Sequence, residues 1–258
     1  MSTPNRLAFF TAILALSVAS ALVRGQSPEF TYSGAHGPAH WSETPGWEAC
    51  GTAGTRQSPI AIDHVVVDRA LHPLQLDARP TPEALINNGH TVEEEYEAGS
   101  TLTLDGVRFE LAQFHFHSPS EHTVHGKHAA LELHAVFNDP ASMRKVVIAQ
   151  LFATGASSPF LADLLSGGLP RKIEEKITAP RQINVAGAFV DLAHYYTYDG
   201  SLTTPPCTET VTWFVLQREG HLSKEQATAF HQVLGDDARP VQHLNHRTVR
   251  ATPEATSE

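Results

Sequence analysis

The chain has 258 residues and a formal net charge of −10 at pH 7. Its length suits one large β-rich domain, and its acidity argues against a nucleic-acid partner. It holds 16 histidines, a density at which about one H-x-H pair is expected by chance, so such a pair needs support from its neighbours.

Residues 1–21 are typical of a secretory signal peptide. Arg6 supplies a positive charge, residues 7–23 carry none, and the tripeptide ASA at 19–21 offers a small-x-small cleavage site. A retained membrane anchor is the alternative, because a run of 17 uncharged residues approaches a spanning length. The small-residue site and the polar residues within the run favour cleavage, so we expect a secreted or periplasmic protein.

The two cysteines are Cys50 and Cys207. Export places them in an oxidising space, where an even count suggests a disulfide. Two buried free thiols are the alternative interpretation.

After the leader, short strand patterns alternate with Pro and Gly. The stretch TLTLDGVRFELAQFHFH at 101–117 predicts a hairpin that turns at Asp105 and Gly106. AALELHAVF at 129–137, KVVIAQLFA at 145–153 and TVTWFVLQ at 210–217 predict three further strands, the second of them more fully buried.

Helix signals are few. SKEQATAFHQVLG at 223–235 predicts a helix with Ser223 as N-cap, Gln226 as its capping-box partner and Gly235 past the end. SPFLADLLSGG at 158–168 predicts one or two short turns. The sequence therefore indicates a mainly β (α+β) single domain over 28–250 with peripheral helices. Residues 251–258 have no apolar content to anchor them and are expected to form a flexible tail.

The stretch FHFHSPSEH at 114–122 suggests a metal site built on a strand. Side chains alternate along a strand, so His115, His117 and Gln113 share one face. A catalytic zinc site needs a third protein ligand, and His134 is the candidate, with Glu132 on the same face of its strand. Gln113 and Glu132 would each hold the second ring nitrogen of a ligand. The alternative for His134 is a hydrogen-bonded core histidine.

These motifs, together with SLTTPPC at 201–207, resemble the α-class carbonic anhydrases. YSGAHGPAHW at 32–41, RQSPI at 56–60, NNGH at 87–90 and RPVQHLN at 239–245 follow in the order of that family, so the resemblance covers most of the chain. It implies a large twisted, mostly antiparallel central sheet, a Zn²⁺ cofactor, and reversible hydration of carbon dioxide to bicarbonate and a proton. The paired cysteines and the leader resemble secreted and bacterial members.

The resemblance also implies catalytic roles. His115, His117 and His134 would hold zinc. Thr203 would position the attacking hydroxide and pass its own hydrogen bond to Glu121. His90 would carry the proton to buffer, although from the residues alone it is a turn residue after Asn-Gly.

Further residues take supporting roles by the same resemblance. His122 would be a structural partner in the neighbourhood of Glu121, and Cys50 and Cys207 would form the disulfide. The others would support proton-carrying waters (Tyr32 and Asn88) or line the substrate pocket (Val136, Ile148, Leu202, Thr204 and Trp213).

Two departures from the family pattern carry expectations. Ile148 is bulkier than the valine common at that wall, which would narrow the pocket. Three adjacent acids, Glu93, Glu94 and Glu95, would raise the pKa of His90.

Two other functions compete with this hypothesis. One is a non-catalytic binding protein on the same fold, which typically lacks a zinc-binding histidine. The other is a secreted copper/zinc dismutase, for which the sequence shows no second, bridging ligand set. The resemblance further implies sulfonamide and anion inhibitors as ligands, and the bacterial-type members suggest a homodimer.

Overall fold

The computed structural model describes residues 29–253, so the predicted signal peptide lies outside the described residues. The strands are β1 (Ala61–Ile62), β2 (Val66–Val67), β3 (Gln75–Asp77), β4 (Thr81–Asn87), β5 (Val92–Glu95), β6 (Thr101–Leu104), β7 (Val107–His117), β8 (Thr123–Val124), β9 (Lys127–His128), β10 (Leu131–Asn138), β11 (Lys145–Thr154), β12 (Lys176–Ile183), β13 (Tyr195–Gly200), β14 (Val211–Leu216), β15 (Gly220–Leu222) and β16 (Arg250–Ala251). The α-helices are α1 (Pro159–Gly167) and α2 (Lys224–Leu234), and four 3-10 helices cover Gly34–His36, Trp41–Glu43, Glu48–Cys50 and Val185–Ala188.

One sheet of 13 strands organises the molecule. Its main path runs β12-β4-β5-β7-β10-β11-β14-β13-β16-β2, with β6, β3 and β15 attached at its side. Parallel pairing occurs where β11 meets β14 and β15 and where β16 meets β2, and the other ladders of this sheet are antiparallel. The predicted mainly β domain around a large, mostly antiparallel sheet is therefore confirmed.

The elements predicted from local patterns are present. Asp105 and Gly106 both have positive φ, as a two-residue hairpin turn requires, and they join β6 to β7. Helix α2 carries the predicted capping box between Ser223 and Gln226. Helix α1 is longer than the predicted one or two turns, because the Ser158 side chain caps it and three apolar side chains bury its inner face.

The predicted tail boundary at residue 251 needs a correction. Ala251 pairs with Tyr196 of β13 and is buried, and the buried Thr252 side chain accepts a hydrogen bond from the backbone of Tyr195 at 2.9 Å. Backbone pairing with β13 anchors these residues although they offer no large apolar side chain. Residues 254–258 lie outside the described part.

The central strands separate two apolar clusters, because successive side chains point to opposite faces. On β10, Leu133, Ala135 and Phe137 join the larger cluster, which also takes up side chains of α1 and α2. Val136 joins the smaller cluster on the other face. The predicted ligand His134 lies on that second face, two residues before Val136 on β10. No helix within residues 29–253 is long and apolar enough to cross a membrane.

Candidate metal centre

The sheet register brings three predicted ligands together. His115 on β7 lies directly across from His134 on β10, and His117 is two residues farther along β7. The ring centroids are 5.1 Å apart for His115 and His117, 5.2 Å for His115 and His134, and 4.8 Å for His117 and His134. One nitrogen from each ring lies within 4.8 Å of the others, which is a spacing that one metal ion can bridge.

Each of these rings is held by a hydrogen bond on its other nitrogen. Nδ1 of His115 donates to Oε1 of Gln113 at 2.7 Å, and Nε2 of His134 donates to Oε1 of Glu132 at 2.8 Å. Nδ1 of His117 donates to the backbone carbonyl of Asp237 at 3.0 Å. Because the acceptors fix the tautomers, the lone pairs of His115 Nε2, His117 Nε2 and His134 Nδ1 are left for a ligand.

This arrangement fits zinc. Nε2 of His117 is buried and has no hydrogen-bond partner, which is costly unless something binds there. Three neutral imidazoles with outer hydrogen bonds are a common donor set of catalytic zinc sites, which keep one position open. The fit of the three histidines to zinc therefore rests on the unpartnered Nε2 of His117 as well as on sequence similarity.

Burial controls the charge of the cluster. Burial and the two neighbouring rings lower the pKa of His115 well below its usual value, and burial also lowers the pKa of His134 against the opposing effect of Glu132. Burial acts in the same direction on His117, but the carboxylates of Glu121 and Asp237 outweigh it and raise the pKa of that ring. Two of the three rings are thus kept neutral by the fold itself, as a metal ligand must be.

Glu132 accepts hydrogen bonds from two histidines. Its Oε1 accepts from His134 and, at 2.7 Å, from Nδ1 of His122, while its Oε2 accepts the backbone N–H of His122 at 2.9 Å. Nε2 of His122 contacts the hydroxyl of Tyr198 at 2.6 Å. His122 is a buried residue whose ring contacts Glu132 and Tyr198, which is consistent with the predicted structural role. Both of its nitrogens are occupied by protein atoms, which argues against a second metal site on His122, Glu132 and His134.

Glu121 lies close to two of the three rings, those of His117 and His134. It is fully buried, and its Oε1 accepts the backbone N–H of Arg239 at 2.9 Å. Its Oε2 has no partner and lies 3.6 Å from Nε2 of His117 and 3.9 Å from Nδ1 of His134. Thr203 is buried and lines the cavity of His115 and His134, and no hydrogen bond connects it with Glu121 within residues 29–253.

A cavity of about 280 Å³ opens beside His115 and His134. Of the predicted pocket residues it is lined by Val136, Leu202, Thr204 and Trp213, and Thr203 also lines it. Lys145 and Asn138 lie at the cavity as well.

The assignment of Ile148 to this wall is wrong. Ile148 pairs with Ala135 and is fully buried in the larger cluster, on the face away from the histidines. Val147 pairs with Val136 and lines the cavity instead. A shift of one residue reverses the face of a strand, and the apolar run at 146–149 of β11 gives no alternation from which to assign the faces. The pocket is therefore not narrowed by an isoleucine, because Val147 occupies this position of the wall.

His90 lies apart from the three rings. Its ring stacks on Phe30 with centroids 3.7 Å apart and an interplanar angle of 9°. With Phe30, Trp47 and Asn88 it lines a second, more open cavity. Asn88 accepts the backbone N–H groups of His90 at 3.0 Å and Thr91 at 2.9 Å, so its side chain forms the turn that presents His90.

The expected rise in the pKa of His90 is also wrong. Burial lowers that pKa, and the opposing carboxylate is Glu29 rather than the three acids at 93–95. Glu94 points to the other face of β5, where both of its oxygens accept the backbone N–H of Ala84. Burial raises the pKa of Glu94 to about 7 and raises that of Glu93 as well.

Tyr32 and the disulfide lie on the same side of the site. The Tyr32 hydroxyl is buried without a hydrogen-bond partner, and burial raises its pKa well above the usual value, so it stays neutral. Cys50 and Cys207 form the predicted disulfide. The backbone N–H of Cys207 donates to the carbonyl of Thr204 at 2.9 Å, which ties the bridge to the loop that carries Thr203.

Two residues of the site, Asp237 and Lys145, were not predicted from the sequence. Asp237 clamps the end of β7, since its carbonyl holds His117 and its Oδ1 accepts the backbone N–H of Ser118 at 2.7 Å. Burial raises the pKa of the Asp237 carboxyl to about 7. A backbone contact across 120 positions leaves no sequence signal. Lys145 does have a sequence signal, because it is the one charged residue of β11 and directly precedes an apolar run.

The chain is similar to known proteins over most of its length. The model of the eukaryotic-type carbonic anhydrase family matches residues 36–253. A carbonic anhydrase of Pectobacterium atrosepticum is 37% identical over 243 residues, which cover 93% of this chain and 98% of the relative.

Two solved structures match over most of the chain. The α-carbonic anhydrase of Thermovibrio ammonificans, in complex with the inhibitor sulfanilamide, is 37% identical with a TM-score of 0.80 and covers 87% of this chain and 100% of that one. A dioscorin in complex with ascorbate is 32% identical with a TM-score of 0.82 and covers 89% and 100%. The chain belongs to the eukaryotic-type, or α-class, carbonic anhydrase family and is an enzyme of that family.

Proposed function

We propose that this protein catalyses the reversible hydration of carbon dioxide to bicarbonate and a proton at a Zn²⁺ ion held by His115, His117 and His134. The observation that carries the proposal is the convergence of three ring nitrogens whose opposite nitrogens are already hydrogen-bonded. When bound, zinc lowers the pKa of a coordinated water to about 7 and so supplies a nucleophile at neutral pH.

The outer hydrogen bonds prepare the ligands. Gln113, Glu132 and the carbonyl of Asp237 hold each imidazole in one tautomer and one orientation. The ionised Glu132 also increases the basicity of His134. Its own pKa is well below the usual value because His122 and His134 outweigh the effect of burial.

The apolar wall binds the gas. Val136, Val147 and Trp213 belong to one apolar cluster, Leu202 packs against it, and all four line the cavity next to His115 and His134. Carbon dioxide has no charge, so a wall of this kind can hold it and keep competing water away. Thr203 and Thr204 provide the polar border at which a nucleophile would be oriented.

Glu121 supports the role proposed for Thr203. A buried carboxylate oxygen without a partner is a strong acceptor, and Oε2 of Glu121 is such an oxygen next to the ligand nitrogens. We infer that the Thr203 hydroxyl donates to it in the loaded enzyme, which leaves the hydroxyl oxygen free to accept from the nucleophile.

His90 is proposed to move the proton from the site to buffer. It is half-buried at the second cavity, and because burial lowers its pKa below the ordinary 6.5, the ring is unprotonated at neutral pH and ready to accept a proton. The stack on Phe30 gives the ring a defined outer position. Tyr32, neutral and buried near Glu121, is proposed to order water between the two positions.

The decisive experiment combines metal analysis with stopped-flow hydration of carbon dioxide. We expect one equivalent of zinc per chain and a rate that a sulfonamide abolishes. The His134→Ala variant should lose zinc and activity together, and the exposed His125→Ala serves as the matched control. Less than half an equivalent of zinc without acceleration would contradict the proposal. Full zinc occupancy without acceleration would favour the alternative, a non-catalytic binding protein on the same fold.

An exported location is proposed on two grounds. A disulfide such as Cys50–Cys207 forms and persists in an oxidising compartment, and the similar carbonic anhydrase of Pectobacterium atrosepticum is bacterial. Together with the predicted leader at 1–21, this favours the periplasm or secretion. The homodimer stays a prediction.

A further inference from the structure

Lys145 lies at the outer end of the cavity that contains the histidines. It is the first residue of β11 and pairs with Asn138, the last residue of β10. Its Nζ donates to Oδ1 of Asn138 at 2.6 Å, and both side chains line the cavity. An ammonium has three N–H donors, so two remain for a ligand.

The sheet register sets the place of Lys145 relative to the proposed metal. The pair Asn138–Lys145 follows Val136–Val147, and that pair follows His134–Ala149, all on one face. Four residues separate His134 from Asn138, which is about 14 Å along the strand. A ligand that is bound at the histidines and lies along the valine wall therefore points toward Lys145.

The charge of Lys145 is not neutralised at the cavity. Histidines aside, it is the one ionisable side chain among the described residues that line this cavity, and no ion pair involves it within residues 29–253. Asp139 follows Asn138 at the hairpin end, and its carboxylate is held by the backbone N–H of Ala141 and the Ser142 hydroxyl. The exposed Glu110 lies across from Asn138 on β7. Glu93 and Glu95 lie farther away on β5, beyond β7. The β11 side of the entrance is thus positive although the whole chain is acidic.

We propose that Lys145 determines specificity at this site, favouring ligands that bind the metal at one end and carry an anionic group at the other. The proposal rests on the function proposed above, because the metal anchors the first end. Asn138 is a positioning residue in this arrangement, since it holds the ammonium at the end of the valine wall.

The test is calorimetric binding of two matched ligands to the zinc-loaded protein. Both are aromatic sulfonamides with a para tail of two methylene groups, which ends in a carboxylate in one and in an uncharged carboxamide in the other. We expect the Lys145→Met variant to lower the affinity for the carboxylate ligand by about fivefold, which is the upper range for a partly exposed ion pair. The affinity for the carboxamide ligand should not change.

The controls separate charge at the cavity from net charge. Lys127→Met removes one positive charge at the exposed β9 strand and should leave the ratio of the two affinities as in the wild type. Lys145→Gln keeps a polar side chain and should repeat the effect of Lys145→Met if the latter folds poorly. Raising the salt concentration should reduce the carboxylate preference of the wild type toward that of the variants.

The outcomes distinguish the two proposals. If both ligands bind and the ratio of affinities is the same in the wild type and both Lys145 variants, Lys145 has no role in specificity. If neither ligand binds to the wild type after loading with zinc, the proposed metal site itself is wrong and this inference falls with it.

Discussion

Oε1 of Glu132 accepts hydrogen bonds from both His134 and His122, at 2.8 and 2.7 Å. One fully buried carboxylate therefore links a proposed zinc ligand to a structural histidine, which in turn contacts the Tyr198 hydroxyl. The orientation of His134 depends on a chain of three further buried groups. Such a network is stable only when each member keeps its partner.

Glu132→Gln should weaken zinc binding by about 10- to 100-fold, the range for loss of an outer partner of a metal-bound histidine. The amide has one oxygen, so it cannot accept from His134, from the His122 ring and from the His122 backbone as the carboxylate does. Zinc affinity is measured by competition with a chelator. Glu97→Gln, at an exposed position, is the control, and equal affinities in the two variants would contradict the role of Glu132.

The faces of Val147 and Ile148 predict opposite effects for two neighbouring substitutions. Val147→Phe should place a ring in the cavity of about 280 Å³ and lower kcat/KM for hydration by roughly a hundredfold, with zinc content unchanged. Ile148→Val should leave kcat/KM unchanged and lower the free energy of unfolding by about 1 kcal/mol, because it removes a methylene group from the larger cluster. Stopped-flow kinetics and urea unfolding provide the two measurements. A change in kcat/KM for Ile148→Val, with none for Val147→Phe, would show that Ile148 and not Val147 lines the cavity.

Local patterns in the sequence predicted the parts of the site that lie on alternating strands. His115 and Gln113, like His134 and Glu132, are two residues apart, and strand geometry alone places each pair on one face. The phase of β11 could not be predicted, because both Val147 and Ile148 are buried. Asp237 was missed for a different reason. It acts through its backbone carbonyl, to which no side-chain pattern corresponds.

His90→Ala should lower kcat in dilute buffer by about tenfold to a hundredfold, since a positioned proton acceptor contributes at least that much. Added imidazole should restore the rate, because a small base can occupy the space of the missing ring. The zinc content and the affinity for a sulfonamide should stay as in the wild type. A variant that imidazole does not rescue would remove His90 from proton transfer.

Phe30 is predicted to hold the pKa of His90 below 6.5. Burial against Phe30 disfavours the charged ring, so the wild-type ring stays neutral to a lower pH than a free histidine. Phe30→Ala exposes the His90 ring and should raise its pKa toward 6.5. The negative charge of Glu29 acts in the same direction. An NMR titration of the His90 ring measures both values. A pKa in Phe30→Ala equal to or below that of the wild type would contradict this cause.

The disulfide should contribute mainly to stability. It closes a loop over a sequence separation of 157, and replacement of both Cys50 and Cys207 by Ala should lower the free energy of unfolding by about 4 kcal/mol. The loop that carries Thr203 has further supports that do not depend on sulfur. Gln57 donates to the Cys207 carbonyl at 3.0 Å and Arg239 to the Cys50 carbonyl at 2.9 Å.

We therefore expect kcat/KM of the double Ala variant to stay within about twofold of the wild type at 25 °C, where the remaining stability of a typical domain still keeps the chain folded. Urea unfolding measures the loss of stability, and the wild type in reducing agent is the matched control, since it breaks the bridge without a substitution. A large loss of activity in the folded variant would show that the bridge itself positions Thr203. An unchanged free energy of unfolding would show that the bridge does not restrict the unfolded chain.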